Sequence, residues 1–279
     1  MNMISNPGPH REPALPVGLY SISVRGLDLP DLLDWAATLG VSFVHLRGGR
    51  RGFDLARRGP AQLAAWHRAA IRSRVPITGV TSDVDLADLY SGSAAARAQA
   101  TTELRAVAGA GTELGARWVR VLATQPLSGT PTVTPLPAAR PVTLEDCPLP
   151  VVAELHHPCW LAPRPAAALE GILGSGRLAL LADTAQLSAA LAANGSEAPQ
   201  TLQRLFPHVS VAHLSDQGAG LDGIEHAVVA RQVAHRLRVG SSVEVAVEWT
   251  GDTRTPAECA RRYRSHTAWW RGLYREVTP

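Results

Sequence analysis

Lysine is missing altogether from the 279 residues, so arginine supplies every one of the 27 basic side chains. That absence excludes Schiff-base chemistry on a lysine and a lysine general base. Cysteine is scarce: Cys147, Cys159 and Cys259 lie far apart and form no CxxC pair, which points to reduced structural thiols rather than a disulfide framework. There is no apolar run of roughly eighteen residues, and Met1–Pro16 is polar and proline-rich without the apolar stretch of a secretory signal. A cytoplasmic protein with no membrane partner is therefore expected. The formal charge is only +3, too little to argue for nucleic acid as a partner without a localised basic patch.

What the chain does contain is an apolar fraction of 46%, enough for one large α/β domain at this length. Short β-like runs, at Leu19–Val24, Val41–Leu46, Val75–Val80, Arg117–Ala123, Val151–Leu155, Leu178–Ala182, Val209–Leu214 and Val243–Val247, alternate with longer helical stretches. Eight near-continuous apolar strands with helices between them predict a parallel (β/α)8 TIM barrel over residues 17–279, preceded by a flexible arm over residues 1–16. The competing doubly wound sheet would announce itself by a glycine fingerprint after its first strand, and Ser23-Val24-Arg25-Gly26 is not one. From Gln125 to Pro150, seven prolines leave no room for a helix of normal length, so an irregular segment is expected in place of the regular fourth helix.

In a parallel barrel the chemistry sits where the strands end. Strand five ends on Glu154, with His156 two residues on and therefore on the same side. Strand six ends on Asp183, strand seven on His213 with Asp216 three residues later, and strand eight on Glu248. Each alone reads as an ordinary polar strand end; four in succession, 29, 30 and 35 residues apart, do not. Three carboxylates brought together without a cation would repel until one took up a proton, and a divalent ion removes that conflict. Three oxygen donors and one nitrogen favour Mn2+ or Mg2+ and also admit Co2+ or Zn2+, while the lack of a thiolate argues against structural zinc.

Here the sequence resembles a known group. The stretches Val-Val-Ala-Glu154-Leu-His156, Leu-Leu-Ala-Asp183, Val-Ala-His213-Leu-Ser-Asp216 and Val-Ala-Val-Glu248, in that order, resemble the xylose-isomerase-like barrels, which include sugar phosphate isomerases and epimerases and the AP endonuclease family 2 enzymes. The segment from Leu39 to Arg47 is similar to the second strand of that group. The resemblance implies a metal-dependent isomerase or epimerase working on a sugar or sugar-like hydroxycarbonyl compound through an enediolate. Glu154 and Glu248 would be the catalytic pair, one removing the proton and the other returning it. All four residues would bind the metal. A lyase or dehydratase shares the first proton abstraction and is the alternative; a non-catalytic binding barrel is a further one.

Two positions depart from the group's pattern. Its members commonly carry His where Gln186 stands, three residues after the strand-six Asp, and often an Arg soon after His-x-x-Asp, where Gln217 follows Asp216. Both places touch substrate oxygens in the group, so Gln186 and Gln217 imply an unusual substrate, with Gln186 and Asp216 as the substrate-binding residues expected there. Endonuclease chemistry would need further His ligands on strands three and four, and neither strand carries one.

Among weaker signals, His156 is placed to touch substrate or to support the metal from behind. His45 sits near the end of strand two. Arg47, Arg50 and Arg51 follow that strand as either anion binders or a solvated loop, and Arg47 is the substrate candidate. Asp83 and Asp85 read as helix caps, and the arginines of the last helix as a solvated face. The expected partner is a small-molecule substrate, with a homo-oligomer left open.

Overall fold

The computed structural model describes residues 15–127, 144, 146–218, 220–250 and 255–278. Eight strands, β1 (Gly18–Tyr20), β2 (Val44–Arg47), β3 (Ile77–Asp85), β4 (Trp118–Ala123), β5 (Val151–Leu155), β6 (Leu178–Asp183), β7 (Val209–Asp216) and β8 (Glu244–Trp249), pair in parallel in chain order. The ring closes where Gly18 of β1 registers with Ala246 of β8. Helices α1 (Leu29–Thr38), α2 (Pro60–Ser73), α3 (Leu86–Tyr90) and α4 (Ala94–Glu113) accompany the first half. The second half carries α5 (Pro163–Leu173), α6 (Thr184–Asn194), α7 (Ala198–Leu205), α8 (Ile224–Arg238) and α9 (Pro256–Glu276). This is the (β/α)8 barrel that the alternation of strands and helices predicts.

The sequence periodicity explains the layers. Leu32, Leu33 and Ala36 of α1, and Leu104, Val107 and Ala108 of α4, recur at helical spacing and are buried. They join the large core between helices and sheet, whereas Trp118, Val152, Leu181 and Val211 form a separate apolar cluster. Of the irregular segment expected from Gln125 to Pro150, residues 128–143 and 145 lie outside the described residues, as does the greater part of the expected N-terminal arm. Leu15 packs against the core, and its carbonyl accepts a hydrogen bond from Arg271 Nη2 at 3.3 Å. No helix among the described residues is long and apolar enough to cross a membrane.

β5 alone keeps its pattern-based bounds, and β1 and β3 depart furthest from theirs. β1 stops at Tyr20 instead of Val24, because Ser21–Ser23 turn into a 3-10 helix. There Ser21 Oγ accepts from the Arg47 amide at 2.8 Å and Ser23 Oγ from the Trp249 amide at 2.9 Å. Side chains thus satisfy the neighbouring strands where a longer β1 would have done so. β3 runs five residues beyond Val80 to Asp85, whose carboxylate caps α3 by accepting from the Ala87 amide. Asp83 pairs instead with Arg51 at 2.9 Å.

Two glycines make room for aromatic rings. A Cβ on Gly79 would stand 2.0 Å from Trp118 Cζ2, and one on Gly18 would stand 2.1 Å from Phe43 Cε2. Gly79→Ala is expected to destabilise the protein by about 1–3 kcal/mol or more through overpacking. Gly171→Ala, in α5 with nothing near the added methyl, should instead gain about 0.5–1 kcal/mol. Urea unfolding of the pair checks both signs.

Candidate metal centre

Parallel pairing sets Asp183 of β6 level with His213 of β7, and Ser215 of β7 level with Glu248 of β8. Glu154, Asp183 and His213 each offer a donor atom, and the three atoms lie within 4.8 Å of one another. Glu248 joins them through His213, its Oε2 lying 3.0 Å from Nδ1. All four side chains are buried. Asp183 also caps α6, Oδ1 accepting from the Gln186 amide at 2.9 Å. One bond thus orients the carboxylate and starts the next helix.

A buried cation of the protein's own sits among them. Arg120 of β4 reaches Glu154 Oε2 with Nη1, while its Nη2 donates to the Ser82 carbonyl at 2.8 Å. His156 Nε2 approaches Glu154 Oε1 to 2.9 Å without hydrogen-bond alignment. Behind His213 the Tyr20 ring stacks at 4.8 Å, and its hydroxyl lies 3.0 Å from Thr81 Oγ1.

Electrostatics divide the carboxylates. Burial opposes ionisation of Glu154, but Arg120 and then His156 outweigh it and hold this group well below the ordinary range. Asp183 is raised well above its ordinary value, by burial first and then by Glu248 and Glu154. Glu248 is pushed up to about 8, by burial and then by Glu154. His213 is lowered to about 4 by burial.

These residues fit a divalent ion. Fully ionised, the three carboxylates would outnumber the Arg120 guanidinium by two charges; one divalent cation cancels that excess, which without it Asp183 and Glu248 relieve by holding protons. The donors, oxygen with one imidazole nitrogen, suit a hard or borderline ion such as Mn2+ or Mg2+.

Arg120→Met should destabilise the metal-free protein by about 3–5 kcal/mol, since it strands Glu154 as an unpaired buried charge. Saturating divalent ion should shrink that loss by supplying the missing cation. Urea unfolding with and without the ion checks both statements.

The other expected site residues are distributed as follows. The half-buried Arg47 side chain has no ion-pair partner among the described residues, and it lines a cleft of about 580 Å3 with Arg25, Arg51 and Phe53. Gln186 contacts Asp183 through its backbone amide. Asp216 is committed elsewhere: it accepts from the Gly218 and Gly220 amides at 2.7 Å each and faces Arg262 and His266 at 3.4 and 3.3 Å. Arg262 thus leaves the solvated face expected for α9.

Tyr20, Arg120 and Glu244 were not legible as site residues. Their signal is period two: Arg120 lies between Trp118 and Leu122, and Glu244 precedes Ala246 and Glu248, so both charges fall on the side of their strand that faces the lumen.

No protein-family model matches the chain, and no curated protein sequence matches it. Solved structures do. A xylose isomerase-like TIM barrel protein from Mycobacterium smegmatis in complex with magnesium is 11% identical, with 93% of this chain and 97% of that one covered at a TM-score of 0.63. D-psicose 3-epimerase from Clostridium cellulolyticum H10, with D-tagatose, is 11% identical over 94% and 99% at 0.62. The 3-keto-D-glucoside 4-epimerase of E. coli is 13% identical over 92% and 99% at 0.61. The chain therefore has the fold of the xylose-isomerase-like TIM barrels.

Proposed function

We propose that this protein is a divalent-metal-dependent isomerase or epimerase of a sugar or sugar-like hydroxycarbonyl compound. The observation that carries the reading is the convergence of Glu154, Asp183 and His213 within 4.8 Å, with Glu248 bonded to His213, in a buried site that sets three carboxyl groups against one guanidinium. Sugar epimerases and a magnesium-bound protein among the similar structures support it. A bound divalent ion supplies Lewis-acid stabilisation of negative charge developing on a carbonyl oxygen.

The chain's own residues do the rest. Glu154 and Glu248 bracket the substrate carbon, one taking its proton to leave an enediolate and the other returning it. Asp183 and His213 hold the ion. His156, beside Glu154, and Gln186 meet substrate oxygens, and Arg47 meets an anionic or hydroxyl group from the cleft side. The carboxyl group that returns the proton draws it from solvent between turnovers.

The test is deuterium exchange. In heavy water with Mn2+ or Mg2+, a panel of ketoses and hydroxyketones should include a compound that exchanges the hydrogen next to its carbonyl. Release of water instead would mark the elimination that shares this first step. A panel without exchange, together with protein that takes up neither ion, would refute the reading.

A further inference from the structure

A line of hydrogen bonds runs inside the barrel, away from the candidate metal centre. Glu248 Oε2 lies 3.0 Å from His213 Nδ1, His213 Nε2 lies 2.9 Å from His45 Nδ1, and His45 Nε2 lies 3.0 Å from Glu244 Oε2. It starts near the C-terminal end of β8, crosses to β7 and β2, and returns to the first residue of β8. Both imidazoles are fully buried, and they stack with centroids 5.2 Å apart. The Trp118 ring packs edge-on against His45 at 4.6 Å.

Donor counting sets the direction of the line. Glu244 Oε2 also receives Thr78 Oγ1 at 2.9 Å and Trp118 Nε1 at 3.0 Å, and Oε1 pairs with Arg117. An indole N–H and a guanidinium only donate, so Glu244 is held as an acceptor and the proton it shares with His45 belongs to Nε2. A neutral imidazole carries one N–H, so His45 Nδ1 is an acceptor. The proton between the two rings then belongs to His213 Nε2, which leaves His213 Nδ1 as an acceptor, so the hydrogen of its 3.0 Å contact with Glu248 Oε2 is carried by the Glu248 carboxyl until a cation takes its place.

We propose that Glu244 and His45 are positioning residues that hold His213 in its Nε2–H tautomer and so present Nδ1 to the metal. The proposal rests on reading the site as a divalent-metal centre. Metal-bound imidazoles ordinarily give their second nitrogen to a carboxylate, carbonyl or water. Here a second imidazole stands between, passing the bias of a carboxylate at the far end of β8 across the lumen. A doubly protonated His45 would reverse the line, put the proton on His213 Nδ1 and close that nitrogen to a cation.

Nitrogen-15 NMR of the metal-free protein labelled at histidine reads the tautomers directly. Both His213 and His45 are expected as neutral Nε2–H forms at pH 7. Zn2+ and Mg2+ titrations give the second readout. His45→Phe should weaken binding 10–100-fold, and Glu244→Leu should act in the same direction. His45→Gln, whose amide offers one acceptor and one donor, should recover affinity to within about threefold of wild type.

A proton on His213 Nδ1 in the metal-free protein overturns the proposal, as does a folded His45→Phe protein with wild-type affinity. Should wild type bind neither ion, the metal reading fails, while the tautomers still decide whether the line runs as assigned.

Discussion

Glu248→Gln is expected to lower turnover by about 10²–10⁴-fold, the range general acid–base groups contribute. Gln keeps the shape of Glu and can still hydrogen-bond His213 Nδ1, which lies 3.0 Å from Glu248 Oε2. It cannot accept or return a proton. The change also removes a carboxyl whose ionisation burial and Glu154 already oppose, so thermal stability of the metal-free variant should equal or exceed that of wild type. Glu154→Gln should abolish turnover to a similar extent but behave oppositely in stability, since it leaves the buried Arg120 guanidinium without its carboxylate. Paired turnover and melting measurements separate the two. Turnover within about threefold of wild type for both variants would place the proton transfer elsewhere.

Removing divalent ion should impose a particular dependence of stability on pH. Glu248 has a folded pKa raised from 4.5 to about 8, so between those values the folded chain keeps a proton that the unfolded chain has released. Its contribution is complete below about pH 4.5 and lost as the pH climbs through 8, and Asp183, also raised, acts in the same sense. His45 and His213 oppose this. Burial lowers both from 6.5 to about 4, so below 6.5 the unfolded chain binds protons that the folded chain refuses, and stability falls as the pH drops toward 4.

The opposing slopes offset each other between about pH 4.5 and 6.5, and from 6.5 to 8 the raised carboxylates act together with His156, which despite its burial Glu154 raises from 6.5 and which works in the same sense. Metal-free protein should therefore lose stability across that upper interval. Divalent ion at a hundred times its dissociation constant should restore about 2.7 kcal/mol, a melting shift of roughly 5–10 °C for a domain of this size. Asp183→Asn should lose most of the shift. Melting curves from pH 5 to 8 with and without Mn2+ check this, and a metal-free protein that gains stability from 6.5 to 8 would contradict the assignment of buried, repelling carboxylates.

Much of the site is legible in the amino-acid order. The order of strand ends marks Glu154, Asp183, His213 and Glu248, because each terminates a local apolar run and parallel pairing puts such ends on one rim. The helix boundaries from Leu29 and Ala94 are likewise local, each set by an apolar period and a cap from Asp28 or Ser93. The β1 boundary was less accessible, because its end depends on serines that bond to Arg47 and Trp249 of other strands.

By itself, then, the amino-acid order determined the barrel and the four side chains gathered at its mouth, since both follow from periodicities a few residues long. Only the closed tertiary structure decided what stands around them. Arg120 meets Glu154, His45 meets His213, and Glu244 gathers Thr78, Arg117 and Trp118 because strands far apart in sequence face one lumen. Asp216, three residues past His213, is held instead by Arg262 and His266 of α9. Successive residues of a strand point to opposite faces, so an odd spacing sends a side chain away from the lumen. Which buried charge finds which partner depends on closure and register, and neither is written in any single segment.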